Sequence, residues 1–260
     1  MSKVKPKKHL GQHFLNDLQI ADDIVNAMTS FGDYKEIYEI GPGTGVLTTR
    51  LMQKEEYKTT VIEIDTESVA YLAKEVGLPK EQIIEGDFLK LDFGNIAPHP
   101  VGLIGNFPYN ISTQIYFKIL ENKDQITECV GMIQKEVAER IATKKGGRTA
   151  GILTILVQAF YDVEYLFTVP PGVFIPPPKV DSAVIRLQRN DRKSLPCKEE
   201  TFFKVVKQAF STRRKTLRNA MKPYGLPAEL LEDPIFKKRA EELSVEDFID
   251  LTVRIEESRK

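Results

Sequence analysis

Apolar positions first form a helical stripe, Ile20, Ile24, Ala27, Met28 and Phe31, entered through Asn16 or Asp17, either of which can cap a helix start. From residue 36 the period changes. The short β-branched and aromatic run EIYEI (36–40) predicts a strand. TTVIEID (59–65), QIIEGD (82–87), VGLIGN (101–106) and ECVGMIQ (128–134) predict four more. Between them, GPGTGVLTTRLM turns into a helix, ESVAYLAKEV (67–76) is helical, and STQIYFKIL (112–120) is a helix capped by Ser112 or Thr113. KEVAERIA (135–142) adds another after the fifth strand. This order predicts an α/β fold with a parallel sheet and helices on both faces. GILTILVQAFY (151–161) is apolar and helical in length. VEYLFTV (163–169) and VDSAVIRLQ (180–188) then predict a final pair of strands around the Pro-rich loop PPGVFIPPPK (170–179), an antiparallel end to a parallel sheet. The polar stretch RNDRKSLPCKEE reads as a linker, and from Thr201 the pattern is helical: FFKVVKQAF, TRRKTLRNAMK, and SVEDFIDLTVRI capped at Ser244. The expected division is a sheet domain with a basic N-terminal arm, 1–190, and a small all-helical domain, 191–260.

With 260 residues, 42% of them apolar, the chain can bury a sizeable core. No apolar run approaches the ~20 residues that span a bilayer, and the basic start lacks the apolar segment of a secretory signal. A cytoplasmic protein is expected. Cys129 and Cys197 have no metal spacing and His9, His13 and His99 form no ligand cluster, so no metal is expected. Net charge is zero but uneven: residues 1–9 carry four lysines and no acid, and residues 186–222 carry twelve Lys/Arg against three acids. Such a basic stretch suits a polyanion, although a solvated helix surface would look the same.

EIGPGTG follows the first predicted strand. Gly41, Gly43 and Gly45 allow a tight turn and close approach of a ligand to the backbone, although many Gly-rich turns are only turns. The spacing departs from the dinucleotide G-x-G-x-x-G. Glu39, just ahead of the loop, would be badly placed beside a pyrophosphate and well placed near an amino group or cation. Glu63 ends the next strand 22 positions after Gly41, where an acid can hold a ribose diol, and Asp87 ends the third, where it can accept from an adenine amino group. Acids ending three successive parallel strands favour S-adenosylmethionine, with its ammonium and sulfonium, over NAD(P).

GNFPYNIST (105–113) closes the fourth strand at the same edge. An exocyclic adenine amine is a poor nucleophile because its lone pair is delocalised into the ring. A site that methylates it must accept hydrogen bonds from its N–H groups. Asn106 offers a side-chain carbonyl, the Pro108 region a backbone carbonyl, and Tyr109 a face on which a base can stack. The base must leave its stack to reach such a site. Phe174 in the Pro-rich loop is the candidate second ring, unless it only anchors the loop in an apolar groove. Phe107 reads as core.

On KKHLGQHFLND (7–17), EIGPGTGVLT (39–48), VIEID (61–65), GDFLKLD (86–92), GNFPYNIST, QKEVAERI (134–141), VPPGVFIPPPKVDSAVIRL (169–187) and RRKTLRNAM (213–221), the chain resembles the KsgA/RsmA-type small-subunit rRNA adenine dimethyltransferases. The resemblance implies a Rossmann-like SAM-dependent methyltransferase sheet with a small helical C-terminal domain. It implies transfer of four methyl groups to N6 of two adjacent adenosines in a loop near the 3′ end of 16S rRNA. The partner it implies is the immature small ribosomal subunit, with a checkpoint role in assembly, and the protein is expected to act as a monomer. Carried over by motif, SAM contacts fall on His13, Leu15, Gly41, Gly43, Glu63, Asp87 and Asn106. Asn106, Pro108 and Tyr109 would position the amine, with Phe174 on the base. Arg213, Arg214, Lys215 and Arg218 would meet rRNA phosphates, which position without reading sequence. Family members often carry Asn at the position of His13 and Leu at that of Phe107. Three rivals share features: the related class that methylates adenine in large-subunit rRNA, a non-catalytic binding module on the same scaffold, and a dehydrogenase, which would bind NAD and not S-adenosylmethionine.

Overall fold

The computed structural model describes residues 4–144, 149–212 and 214–259. The chain divides into two compact units, Met1–Ala138 with Asp162–Arg189, and Glu139–Tyr161 with Asn190–Lys260. The sequence pattern groups 139–161 with the sheet. The structure assigns that stretch to the second unit, which is therefore built from two separate pieces of chain.

In the first unit a short strand, β1 (Phe14–Leu15), leads into α1 (Leu18–Asn26), whose cap is Asp17: its carboxylate accepts from the Ile20 N–H at 3.0 Å. The helix stops before Phe31, which lies 40% exposed beyond the buried stripe. Then follow β2 (Glu36–Ile40), α2 (Thr48–Leu51), β3 (Lys58–Glu63), α3 (Thr66–Tyr71), β4 (Ile83–Glu85) and α4 (Phe93–Ile96). After them come β5 (Val101–Asn106), α5 (Ser112–Glu121), β6 (Ile126–Gln134), α6 (Lys135–Ala142), whose second half belongs to the second unit, β7 (Tyr161–Val169), which starts on that unit's last residue before the sheet resumes, β8 (Phe174–Ile175) and β9 (Ser182–Arg189). No side chain caps α5: Ser112 instead donates its hydroxyl to the Tyr109 carbonyl.

The seven-stranded sheet runs β4-β3-β2-β5-β6-β9-β7. β2 to β6 pair in parallel, and β9 lies antiparallel to β6. Strand order reverses at β2, with β3 on one side and β5 on the other. In open α/β sheets the crevice outside the carboxyl ends at such a switch point takes the ligand. A core of Ile24, Met28, Ile37, Leu47, Leu51, Ile104, Val130 and Val184 fixes this edge. β1 and β8 form a separate antiparallel pair, Phe14 opposite Ile175 and Leu15 opposite Phe174.

In the second unit, α7 (Ile152–Gln158) and α11 (Val245–Glu257) pack on α8 (Glu199–Ala209), with α9 (Leu217–Ala220) and α10 (Ala228–Leu231) between α8 and α11 in the chain. α7 buries Leu153 through Val157, and this is why its stretch of chain belongs here. Ser244 and Asp247 form a reciprocal capping box at the start of α11. The basic run 212–222 is not one helix. Among its described residues, Arg214 adopts a left-handed backbone, φ 68°, Thr216 is extended, and the one α-helical turn is Leu217 to Ala220, with those two apolar side chains buried.

Candidate active site

The Gly-rich loop leaves β2 in the left-handed region, with φ 65° at Gly41 and 55° at Gly43, conformations that side chains resist. A Cβ on Gly43 would come within 2.7 Å of the Phe14 ring. The Gly43 N–H donates to Glu63 Oε2 at 3.0 Å, and the Asp65 N–H to Glu63 Oε1 at 2.9 Å. The end of β3 thus holds the loop after β2. Burial pushes the Glu63 carboxyl up, and these backbone donors pull it partly back. Asp87 lies two residues beyond β4, its Oδ1 accepting from the Leu89 N–H at 3.0 Å.

Gly41, Gly43, Glu63, Asp87, Asn106, Pro108 and Tyr109 line one cavity of the first unit, with Ile40, Ile62, Ile64 and Phe88 supplying apolar wall. Its outer wall is the N-terminal segment His9–Phe14. Lys7 and Gln12 tie that segment to Asp65, the cap of α3. The motif resemblance singles out only His13 and Leu15 from this arm. The segment's general role has no local signal, because it arises from a contact 58 positions along the chain.

Phe107 is fully buried, and Gly105 and Gly131 make the slot for its ring: a Cβ at either would lie within 2.7 Å of it. Asn106 Nδ2 donates to the His13 carbonyl at 2.8 Å. A carbonyl can only accept, so the amide must present its NH2 there, which leaves Oδ1 as the acceptor. The Pro108 carbonyl takes the Ile111 N–H at 3.2 Å and keeps a second lone pair. Tyr109 is half-buried, stacks on His13 with centroids 5.4 Å apart, and bonds Ser182 through its hydroxyl. The His13 Nδ1 lies 2.7 Å from the Pro176 carbonyl, so that nitrogen carries the proton.

Three expected residues lie elsewhere. Leu15 and Phe174 face each other across the β1–β8 pair with only 3% and 2% exposure, and both belong to the core. Phe174 is a loop anchor in an apolar groove, because pairing with β1 turns its side chain inward, and Ile175 is exposed instead. Glu39 is off the cavity: it is buried, accepts from the Thr48 hydroxyl at 2.6 Å, and burial pushes its carboxyl up to about 8. Among the basic residues, Arg214, Lys215 and Arg218 are exposed in the second unit, and Arg213 lies outside the described residues. Ile64, half exposed on the cavity wall, is a lining residue that the sequence reading does not single out; an apolar residue following a strand-ending acid is the local signal for it.

The donor set decides what the cavity suits. Its wall holds two carboxylates, the side-chain amides of Gln12, Asn106 and Asn110, the imidazoles of His9 and His13, the Tyr109 phenol and backbone, and no lysine or arginine among the described residues. A pyrophosphate would meet repulsion there. A ligand carrying an ammonium, a sulfonium, ribose hydroxyls and an adenine amine would find acceptors and apolar wall, so the residues fit S-adenosylmethionine. No helix among the described residues is long and apolar enough to cross a membrane.

A sequence model of the family described as ribosomal RNA adenine dimethylase matches residues 3–257. The chain is 60% identical to a ribosomal RNA small subunit methyltransferase A from Cytophaga hutchinsonii over 252 residues, covering 97% of this chain and 98% of that protein. A dimethyladenosine transferase from Plasmodium falciparum superposes with a TM-score of 0.79 at 27% identity, covering 95% of this chain and 98% of that one. A 23S rRNA methyltransferase, ErmE, has a TM-score of 0.70 at 23% identity, covering 94% and 99%, and shares the fold.

Proposed function

Because the chain belongs to the ribosomal RNA adenine dimethylase family, we propose that it transfers methyl groups from S-adenosylmethionine to N6 of two adjacent adenosines near the 3′ end of small-subunit rRNA. The product is N6,N6-dimethyladenosine at both, four transfers in all. The observation that carries this reading is the Asn106 amide, whose NH2 is held by the His13 carbonyl so that Oδ1 is left to accept from an amine at the end of β5.

S-adenosylmethionine, when bound, supplies a methyl group already activated on a sulfonium. Glu63 would accept from its ribose hydroxyls, Asp87 from its adenine amine, and the Gly41–Gly43 backbone would give it close approach. Asn106 Oδ1 and the second lone pair of the Pro108 carbonyl accept the two N–H groups of the target amine. These bonds favour a pyramidal nitrogen whose lone pair is available for attack. Tyr109 holds the base flat, a stack worth about 1–3 kcal/mol. Neither acceptor is basic, so the proton released by each methylation leaves to solvent.

The partner in this reading is the small subunit or an assembly intermediate, supported by the small-subunit function in the name of the Cytophaga relative. Arg214, Lys215 and Arg218 would engage rRNA phosphates. The test is to incubate the protein with labelled S-adenosylmethionine and undermethylated small subunits, large subunits or naked RNA, and to map the label. Dimethylated adenosines in the small subunit are expected. Label on the large subunit would favour the large-subunit class. No label on any substrate would favour a binding module.

A further inference from the structure

Ser182 opens β9 and is fully buried. It stands opposite Gln134 at the end of β6, and β6 pairs with β5. Its Oγ lies 2.5 Å from the Tyr109 hydroxyl, a bond that spans 73 positions of chain. Ser182 is not on the cavity wall, whereas Tyr109 is. The phenol ring has two side-chain torsions. A hydrogen bond at its far oxygen and a stacked ring on one face, His13, restrain both. Asn106 is held in the same manner by the His13 carbonyl.

We propose that Ser182 is a positioning residue for methyl transfer: its hydroxyl anchors the far end of the Tyr109 ring while the His13 stack sets the ring plane, so that a base lying on the ring presents its amine to Asn106. This rests on the reading of Tyr109 as the base platform. The platform is held by a strand two places away in the sheet, so a direct bond joins the end of the Pro-rich block to the turn after β5.

A double-mutant cycle under single-turnover conditions, with undermethylated small subunits, tests it. Ser182→Ala and Tyr109→Phe should each slow transfer about tenfold, as a small misplacement of reacting groups does. The affinity for S-adenosylmethionine and the thermal midpoint should stay at parental values. The double variant should be no slower than the slower single one, and Ser182→Thr should restore most of the rate. Parental activity in Ser182→Ala, losses that multiply in the double variant, or a matching loss of S-adenosylmethionine affinity would each overturn the proposal. Tyr109→Ala separates the two claims: full activity there removes the platform itself, whereas its inactivity beside an active Ser182→Ala removes only the positioning role.

Discussion

The two ends of the sheet bury carboxylates in opposite ways. At the amino end, Glu128 in β6 is fully buried and accepts from the Thr29 N–H and hydroxyl, the Tyr34 hydroxyl and the Gln188 amide, at 2.6–2.9 Å. Those four donors match the roughly four acceptor sites of a carboxylate. At the carboxyl end, Glu63 receives the Gly43 and Asp65 N–H groups and borders the cavity. Glu39, one hydroxyl donor and no cavity, is pushed towards its protonated form. A carboxylate saturated by its own chain fastens elements together. A half-saturated one at a cavity wall has acceptor capacity for a ligand, and a half-saturated one without a cavity keeps its proton.

The largest expected effect lies at the carboxyl end. Asn106→Ala should lower the single-turnover rate at least about a hundredfold, the scale of losing one preorganised hydrogen-bonding group, with unchanged thermal stability. Full activity in that variant would end the amine-positioning reading. Glu128→Ala should do the reverse. It strands the donors of Thr29, Tyr34 and Gln188, and should lower the unfolding free energy by about 2–4 kcal/mol in denaturant titration, with S-adenosylmethionine affinity intact. Equal damage from both variants to both properties would erase the contrast between the two ends.

Glu39 gives a pH test. Its folded carboxyl titrates near 8, against 4.5 when unfolded, so between those values the native state holds a proton that the unfolded chain has released. Stability from this group is therefore full below pH 4.5 and is lost as pH rises towards 8, by up to about 1.4 kcal/mol per unit. Glu39→Gln, which still offers Thr48 an acceptor, should flatten that part of the slope in denaturant melts at several pH values. The smallest effect is expected from Glu63→Gln, roughly tenfold weaker S-adenosylmethionine binding by calorimetry, about 1.4 kcal/mol.

Much of the sheet was legible because strand and helix periods are local. EIYEI, VGLIGN and ECVGMIQ match β2, β5 and β6 within a residue or two, and the acids Glu63 and Asp87 both line the cavity at the carboxyl edge. The same logic failed for TRRKTLRNAMK, where composition favours a helix but the backbone at Arg214 turns left-handed. Phe174 and Glu39 show the limit more sharply. Each stands beside a cavity-lining loop, and each is kept off the cavity wall by a packing partner that local spacing does not reveal, Leu15 for one and Thr48 for the other.

The sequence by itself determined the run of strands β2 to β6, the Gly-rich loop, the acids that close β3 and follow β4, and the Asn-Phe-Pro-Tyr turn, because each depends on residues a few positions apart. Only the tertiary structure decided which of those groups share a wall. It set the direction of the Asn106 amide through His13, 93 positions away, and the tether of Tyr109 through Ser182, 73 positions away. It also grouped residues 139–161 with the helical unit. Hydrogen-bond saturation and burial are properties of the assembled neighbourhood, and a linear pattern carries no record of which distant donor will arrive.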